Sequence, residues 1–136
     1  MDFKLCYKTY PFKISQGACK GFFEQTGLDL QTVFLTYICS FHESTKEKAG
    51  QRLVLLSNLY SRDVACKAMY HMIKSEVKGV SMAELEDATF RVSWVASDRD
   101  DDLSEPWPLV MVDIGLQINA FFTENLNVKK QNTSEE

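Results

Sequence analysis

The sequence predicts a mainly α-helical protein, five to six amphipathic helices preceded by a short N-terminal strand or hairpin. Three observations carry this expectation. Apolar residues recur at helical spacing through most of the chain, Ser, Asp and Gly stand where helices start and stop, and period-two alternation is confined to the first nine residues. The most explicit punctuation is Ser81-Met82-Ala83-Glu84. This is a capping box, in which the serine accepts the amide of the glutamate and the carboxylate reaches back. Val80 and Leu85 occupy the two staple positions, and Gly79 is suited to closing the helix before it.

The elements follow in order. Phe3, Leu5 and Tyr7 alternate with Lys4, Cys6 and Lys8 over residues 2–9, the pattern of a half-buried strand that Pro11 limits or places at an edge. Its partner is either a second short strand or another subunit. Ser15 caps a first helix running to about Thr26, with Ala18, Phe22 and Phe23 as its stripe and Gly27 as its stop. Gly17 and Gly21 leave a smooth face on it. Asp29 caps a second helix to about Phe41, where Leu30, Val33, Phe34, Tyr37, Ile38 and Phe41 give the cleanest periodicity in the chain. Residues 42–50 have no apolar period and read as a solvated loop or frayed helix end.

A third helix is expected over 51–60, buried on most sides because Leu53, Val54, Leu55 and Leu56 are contiguous. Asp63 is expected to cap a fourth, to about Lys78, with Val64, Ala68, Met69, Met72 and Ile73 inward. The fifth follows the capping box to about Ser97. Ser104 and Pro106 suit the start of a last helix reaching about Leu126. Trp107, Val110, Met111, Ile114, Ile118, Phe121 and Phe122 share one of its faces, and Leu109, Val112 and Leu116 widen that face. Such a helix is either central in the fold or part of a subunit interface. Residues 1–126 thus form a single helical domain, and 127–136 read as a disordered polar tail.

Composition bounds the function. The 136 residues fit one domain, and 45 % hydrophobic with 25 % charged residues is the balance of an ordinary soluble protein. A net charge of −4 with scattered lysines argues against a nucleic-acid binder. No stretch approaches the ~18 apolar residues of a membrane span, and the charged start is unlike an export signal. Cys6, Cys19, Cys39 and Cys66 form no CxxC pair, so reduced thiols in a cytoplasm are expected, with Cys39 and Cys66 as small core residues.

Catalytic signatures are missing. His42 and His71 have no metal-like spacing, and no nucleophile elbow, phosphate loop or dinucleotide fingerprint occurs. His71 reads as a surface or boundary residue. Asp98, Asp100 and Asp102 are spaced like the first ligands of an EF-hand, but Leu103 stands where that loop needs glycine and Leu109 where it needs glutamate. A solvated loop that binds no metal is expected. Asp113 is the one acid within the apolar stretch of the last helix. No enzyme and no cofactor are expected. The candidate interaction surface comprises Phe22, Phe23, Trp107, Met111, Phe121 and Phe122.

Phe12–Gly27, reading FKISQGACKGFFEQTG, resembles the opening of the tail assembly chaperones of tailed bacteriophages. There an aromatic-rich strand leads to a helix ending in Phe-x-x-x-Thr-Gly and then to a second apolar helix. Ser81–Ala88 is similar to their later Leu-Glu-Glu-Val/Ala segment. Trp107–Phe122 resembles the terminal helix of the chaperones from phages with long non-contractile tails. The resemblance spans most of residues 3–126 and implies a function without catalytic residues. Such proteins bind the tape measure protein in the host cell cytoplasm, keep it soluble while the tail tube assembles, and are absent from the virion. It implies as partners the tape measure protein, a longer form of the chain made by ribosomal frameshifting, further copies of itself, and the tail tube protein as a further candidate; Lys129-Lys130 is compatible with an A-rich slippery site. The alternative from a different class is a structural tail-completion or connector protein of the virion. A host regulatory adaptor and a calcium-dependent or hydrolytic enzyme are further alternatives.

Overall fold

A computed structural model describes the backbone of residues 1–94 and 106–134, and the side chains of residues 1–48, 50–91 and 106–126. Within these, two strands and six helices follow in order: β1 (Asp2–Leu5), β2 (Lys8–Pro11), α1 (Gln16–Thr26), α2 (Leu30–Glu43), α3 (Ala49–Ser57), α4 (Arg62–Ile73), α5 (Met82–Trp94) and α6 (Trp107–Ser134). The mainly helical class with an N-terminal hairpin is the one the sequence predicts.

β1 and β2 pair antiparallel, with Phe3 opposite Tyr10 and Leu5 opposite Lys8. The partner strand is therefore within the chain. A two-residue turn joins them, and both of its residues, Cys6 (φ 50°) and Tyr7 (φ 68°), adopt left-handed backbone. Such turns match the twist of the flanking strands but normally use Asn or Gly. The turn takes Tyr7 out of the inward alternation: Phe3 and Leu5 are buried, whereas Tyr7 is exposed. Pro11 ends β2, where a missing amide breaks no ladder.

Ser15 Oγ accepts the Ala18 amide (3.1 Å) and Gly27 closes α1 at φ 74°, as expected. Asp29 accepts from the Thr32 amide (3.0 Å) and hydroxyl (2.7 Å) to start α2. The cap of α4 is Ser61, which accepts the Val64 amide at 3.2 Å. Asp63 instead sits in the first turn, where an acid faces the helix N-terminus and pairs with Lys67 at 2.7 Å. This helix stops at Ile73, short of the expected Lys78. The Met72 carbonyl accepts the Lys13 amide (3.0 Å), and the Glu76 amide, which a continuing helix would give to Met72, goes to Ile73 (2.8 Å). Turns then lead to Gly79 at φ 82°.

Half of the capping box forms. Ser81 Oγ accepts the Glu84 amide at 3.1 Å. The Glu84 carboxylate points instead to the hairpin, accepting from Tyr10 Oη (3.1 Å) and Lys8 Nζ (3.2 Å). Burial and this carboxylate together hold the Tyr10 hydroxyl well above its ordinary pKa.

The first half of α6 is central. It packs against β1, α2, α3, α4 and α5, and Trp107, Val110, Met111, Ile114 and Ile118 join Phe22, Tyr37, Met69, Met72 and Leu85 in one core. Helix α6 continues to Ser134, past the stop expected at Leu126. α3 is less buried than its contiguous apolar residues suggest. It lies at the periphery against α2 and α6, so one face suffices: Leu56 is fully buried while Val54 and Leu55 are exposed. Of the two cysteines expected inside, Cys66 is buried and Cys39 is exposed, because α2 turns that face to solvent. The Asp98–Asp102 segment and Ser104 lie outside the described residues.

Candidate interaction surface

Two seams frame the possible sites. In the first, α1 meets α4 where Gly21 lies beneath His71. A Cβ built on Gly21 would stand 2.8 Å from His71 Nδ1, so the close approach requires glycine. His71 is buried, contrary to the boundary position expected from its polar character, because its polar atoms are satisfied. Lys74 Nζ donates to Nδ1 (3.0 Å) and Nε2 meets Gln25 Oε1 at 2.7 Å. An ammonium only donates, so Nδ1 accepts and Nε2 carries the proton. Burial first, and the Lys74 charge second, push the His71 pKa below its ordinary value. The arrangement holds a neutral imidazole with both ring nitrogens engaged.

The second seam joins α2 to α6. Gly115 lets the helices close, since an added Cβ would stand 3.2 Å from Ile38 Cδ1 and 3.3 Å from the Phe34 carbonyl oxygen. Above this contact lies a groove of about 120 Å³ lined by Leu35, Ile38, Ile118 and Phe122, with Gln31 and Asn119 at its rim. In a chain that is 25 % charged, Leu30–His42 and Ile114–Thr123 contain no Asp, Glu, Lys or Arg. The two helices thus form an uncharged wall with an apolar slot. Exposed apolar surface of this kind is a candidate contact site.

Three of the six residues expected to form the interaction surface are in the core: Phe22, Trp107 and Met111 are buried. Each sits where another element covers the helix. The other three are open to solvent, Phe23 at 58 %, Phe121 at 45 % and Phe122 at 39 % exposure. Phe121 and Phe122 lie together on α6, ring centroids 5.7 Å apart, whereas Phe23 is on α1. Every residue from Asn119 to Leu126 is exposed in this outer arm of α6, of which Asn119 and Phe122 still border the slot against α2. Leu35 and Gly115 are the functional candidates that periodicity missed. The signal that marks them is the absence of charge on α2 and α6.

A larger groove, about 490 Å³, runs between α3 and α6. Phe41, Leu53, Leu109 and Leu116 line it, with Glu47 and Asp113 as its acids. Arg52 also borders it, but its guanidinium lies 3.5 Å from the centre of the Phe41 ring. Its terminal nitrogen donates to the Phe41 carbonyl (2.6 Å) and Nε donates to Ser44 Oγ (3.0 Å). Arg52 therefore closes the C-terminus of α2, where a cation suits the helix dipole.

Among the described residues, no three His, Cys, Asp or Glu side chains converge on a metal-sized site, and no helix is long and apolar enough to cross a membrane. No protein-family model, curated protein or solved structure matches this chain.

Proposed function

We propose that this protein is a tail assembly chaperone of a tailed bacteriophage, acting in the host cytoplasm by binding rather than catalysis. Its client is the tape measure protein, a long amphipathic helical chain that it keeps soluble until the tail tube encloses it. The observation that carries this reading is the uncharged α2/α6 wall with its apolar slot. An amphipathic helix lays its apolar stripe into such a groove, with side chains at i, i+3/i+4 and i+7 as anchors. An uncharged wall fits one helical stripe after another along a client of varied sequence, because it asks for no matching charge. The chain's net charge of −4 lies outside the wall and supports solubility of the covered complex. The order and spacing of the segments that resemble this family support the same reading.

Co-expression tests it. The tape measure protein of the same phage gains soluble yield and co-purifies with this chain. Leu35→Asp, at a solvent-facing position on the slot, abolishes capture while the melting curve is retained. The reading falls if the folded wild-type protein, in excess and with the frameshifted longer form supplied, neither solubilises nor retains the tape measure protein.

A further inference from the structure

We propose that the α3/α6 groove takes a basic amphipathic helix from a partner protein, its apolar stripe against Leu53, Leu109 and Leu116 and its cations against Glu47 and Asp113. On the α6 side the lining residues Leu109, Val112, Asp113 and Leu116 stand at i, i+3, i+4 and i+7. They form a helical stripe of two turns, about 10 Å long. It runs beside the stripe of Val110, Met111, Ile114 and Ile118 that fills the core. Val112 is buried, whereas Leu116 stays exposed. With Phe41 and Leu53 completing an opening of about 490 Å³, the groove matches the i, i+3/i+4, i+7 anchors of an incoming helix.

Charge selects the occupant. Glu47 and Asp113 are both exposed, and no cation among the described residues forms an ion pair with either. Arg52, the one cation that borders the groove, gives its guanidinium to the Phe41 carbonyl and ring and its Nε to Ser44. Lys46 and Lys48 flank Glu47 along the chain but do not border the groove. The Asp113 carboxylate is held in place by the Gln117 amide at 3.0 Å, a neutral donor that leaves its charge uncompensated. The chain does not supply the missing cation. Residues 98–105, which lead into α6, carry five acids against Arg99, residues 119–136 carry three glutamates against two lysines, and a second copy brings a net charge of −4. A partner with an apolar stripe and its own lysines or arginines meets both demands. The α2/α6 slot makes no such demand, so the inference stands whether or not the slot takes a client.

Two synthetic helical peptides test it, each with a leucine stripe at i, i+3/i+4 and i+7, one flanked by lysines and the other by glutamates. Fluorescence anisotropy follows each peptide as the full chain is added to about 100 μM, a range that a useful interface reaches. The lysine peptide binds more tightly, on the order of tenfold for two exposed charge contacts. The uncharged slot treats both peptides alike, so the difference between them reads the groove.

Glu47→Gln with Asp113→Asn keeps the side-chain shapes and the Gln117 contact, and it erases the preference. Glu47→Lys with Asp113→Lys inverts it. Glu24→Lys with Glu86→Lys changes net charge equally at exposed sites outside the groove and leaves the preference in place. Circular dichroism and thermal melting confirm that each variant folds. The inference is overturned if neither peptide binds, if both bind alike, or if the Glu24/Glu86 variant loses the preference as the groove variants do. A wild-type dimer in sedimentation velocity that the groove variants dissolve also overturns it, since the occupant is then a second copy.

Discussion

From Trp107 to Ile118, α6 buries Trp107, Val110, Met111, Ile114 and Ile118; from Asn119 to Leu126 every residue is exposed, although Phe121, Phe122 and Leu126 are equally apolar. Large apolar residues occur in both halves, and their neighbours differ. β1, α2, α3, α4 and α5 all pack on α6, yet burial beneath them ends at Ile118, and beyond it only α2 borders the helix, along the slot. Periodicity reports which side of a helix is apolar, whereas burial depends on the lengths and positions of other elements. Apolar residues that outrun their neighbours therefore stay open to solvent.

The largest expected effect tests this contrast directly. Met111→Ala removes a fully buried side chain at the centre of the core and should cost about 2–5 kcal/mol. Phe121→Ala, ten positions along the same helix, should change stability by less than about 0.5 kcal/mol. Urea denaturation of both variants measures the difference, and equal losses would show that the arm is packed in solution.

A smaller effect sharpens the same point on α1. Gly21→Ala gains about 1 kcal/mol of helix propensity but drives a Cβ to 2.8 Å from His71. Overpacking of this kind costs about 1–3 kcal/mol, so a net loss of about 1 kcal/mol is expected. Gly17→Ala meets nothing nearer than Ser15 Oγ at 3.9 Å and should gain up to about 1 kcal/mol. Opposite shifts in melting temperature confirm that one glycine has a neighbour and the other does not.

The smallest effect concerns pH. The folded-state pKa of His71 lies below the ordinary 6.5. The unfolded chain therefore takes up the proton first as pH falls. The contribution of His71 to stability is complete above pH 6.5 and is lost progressively below it, down to the folded pKa. Denaturation midpoints between pH 5 and 8 should fall more steeply toward acid for wild type than for His71→Gln, whose carboxylates are the same. Parallel profiles would remove His71 from the account.

How much was legible follows from which interactions are local. Ser15, Gly27 and Asp29 act on amides within a few residues, and their helix ends stand where the sequence puts them. The periodicity of α2 likewise marks its buried face correctly. Distant partners decide the departures. Lys13 takes the Met72 carbonyl and α4 stops early. Gln25 and Lys74 satisfy His71 and allow its burial. Ser61 and Asp63 are both competent caps, and only the observed bond distinguishes them. For the candidate surface, Phe121 and Phe122 were visible as surplus apolar residues. The slot was not, because it exists only where Gly115 brings α6 against Ile38 and Phe34.

The position of the N-terminal hairpin has a consequence for how the protein is made. Phe3 and Leu5 are buried in a core that α6 completes, and the Gln117 side-chain amide donates to the Asp2 carbonyl at 2.8 Å. β1 leaves the ribosome before α6 and thus waits for that helix. At synthesis rates of about 5–20 residues per second the interval is on the order of ten seconds. Through that time the hairpin's aromatic face lacks its final cover, and a nascent chain that stalls before α6 emerges holds an open core around that hairpin.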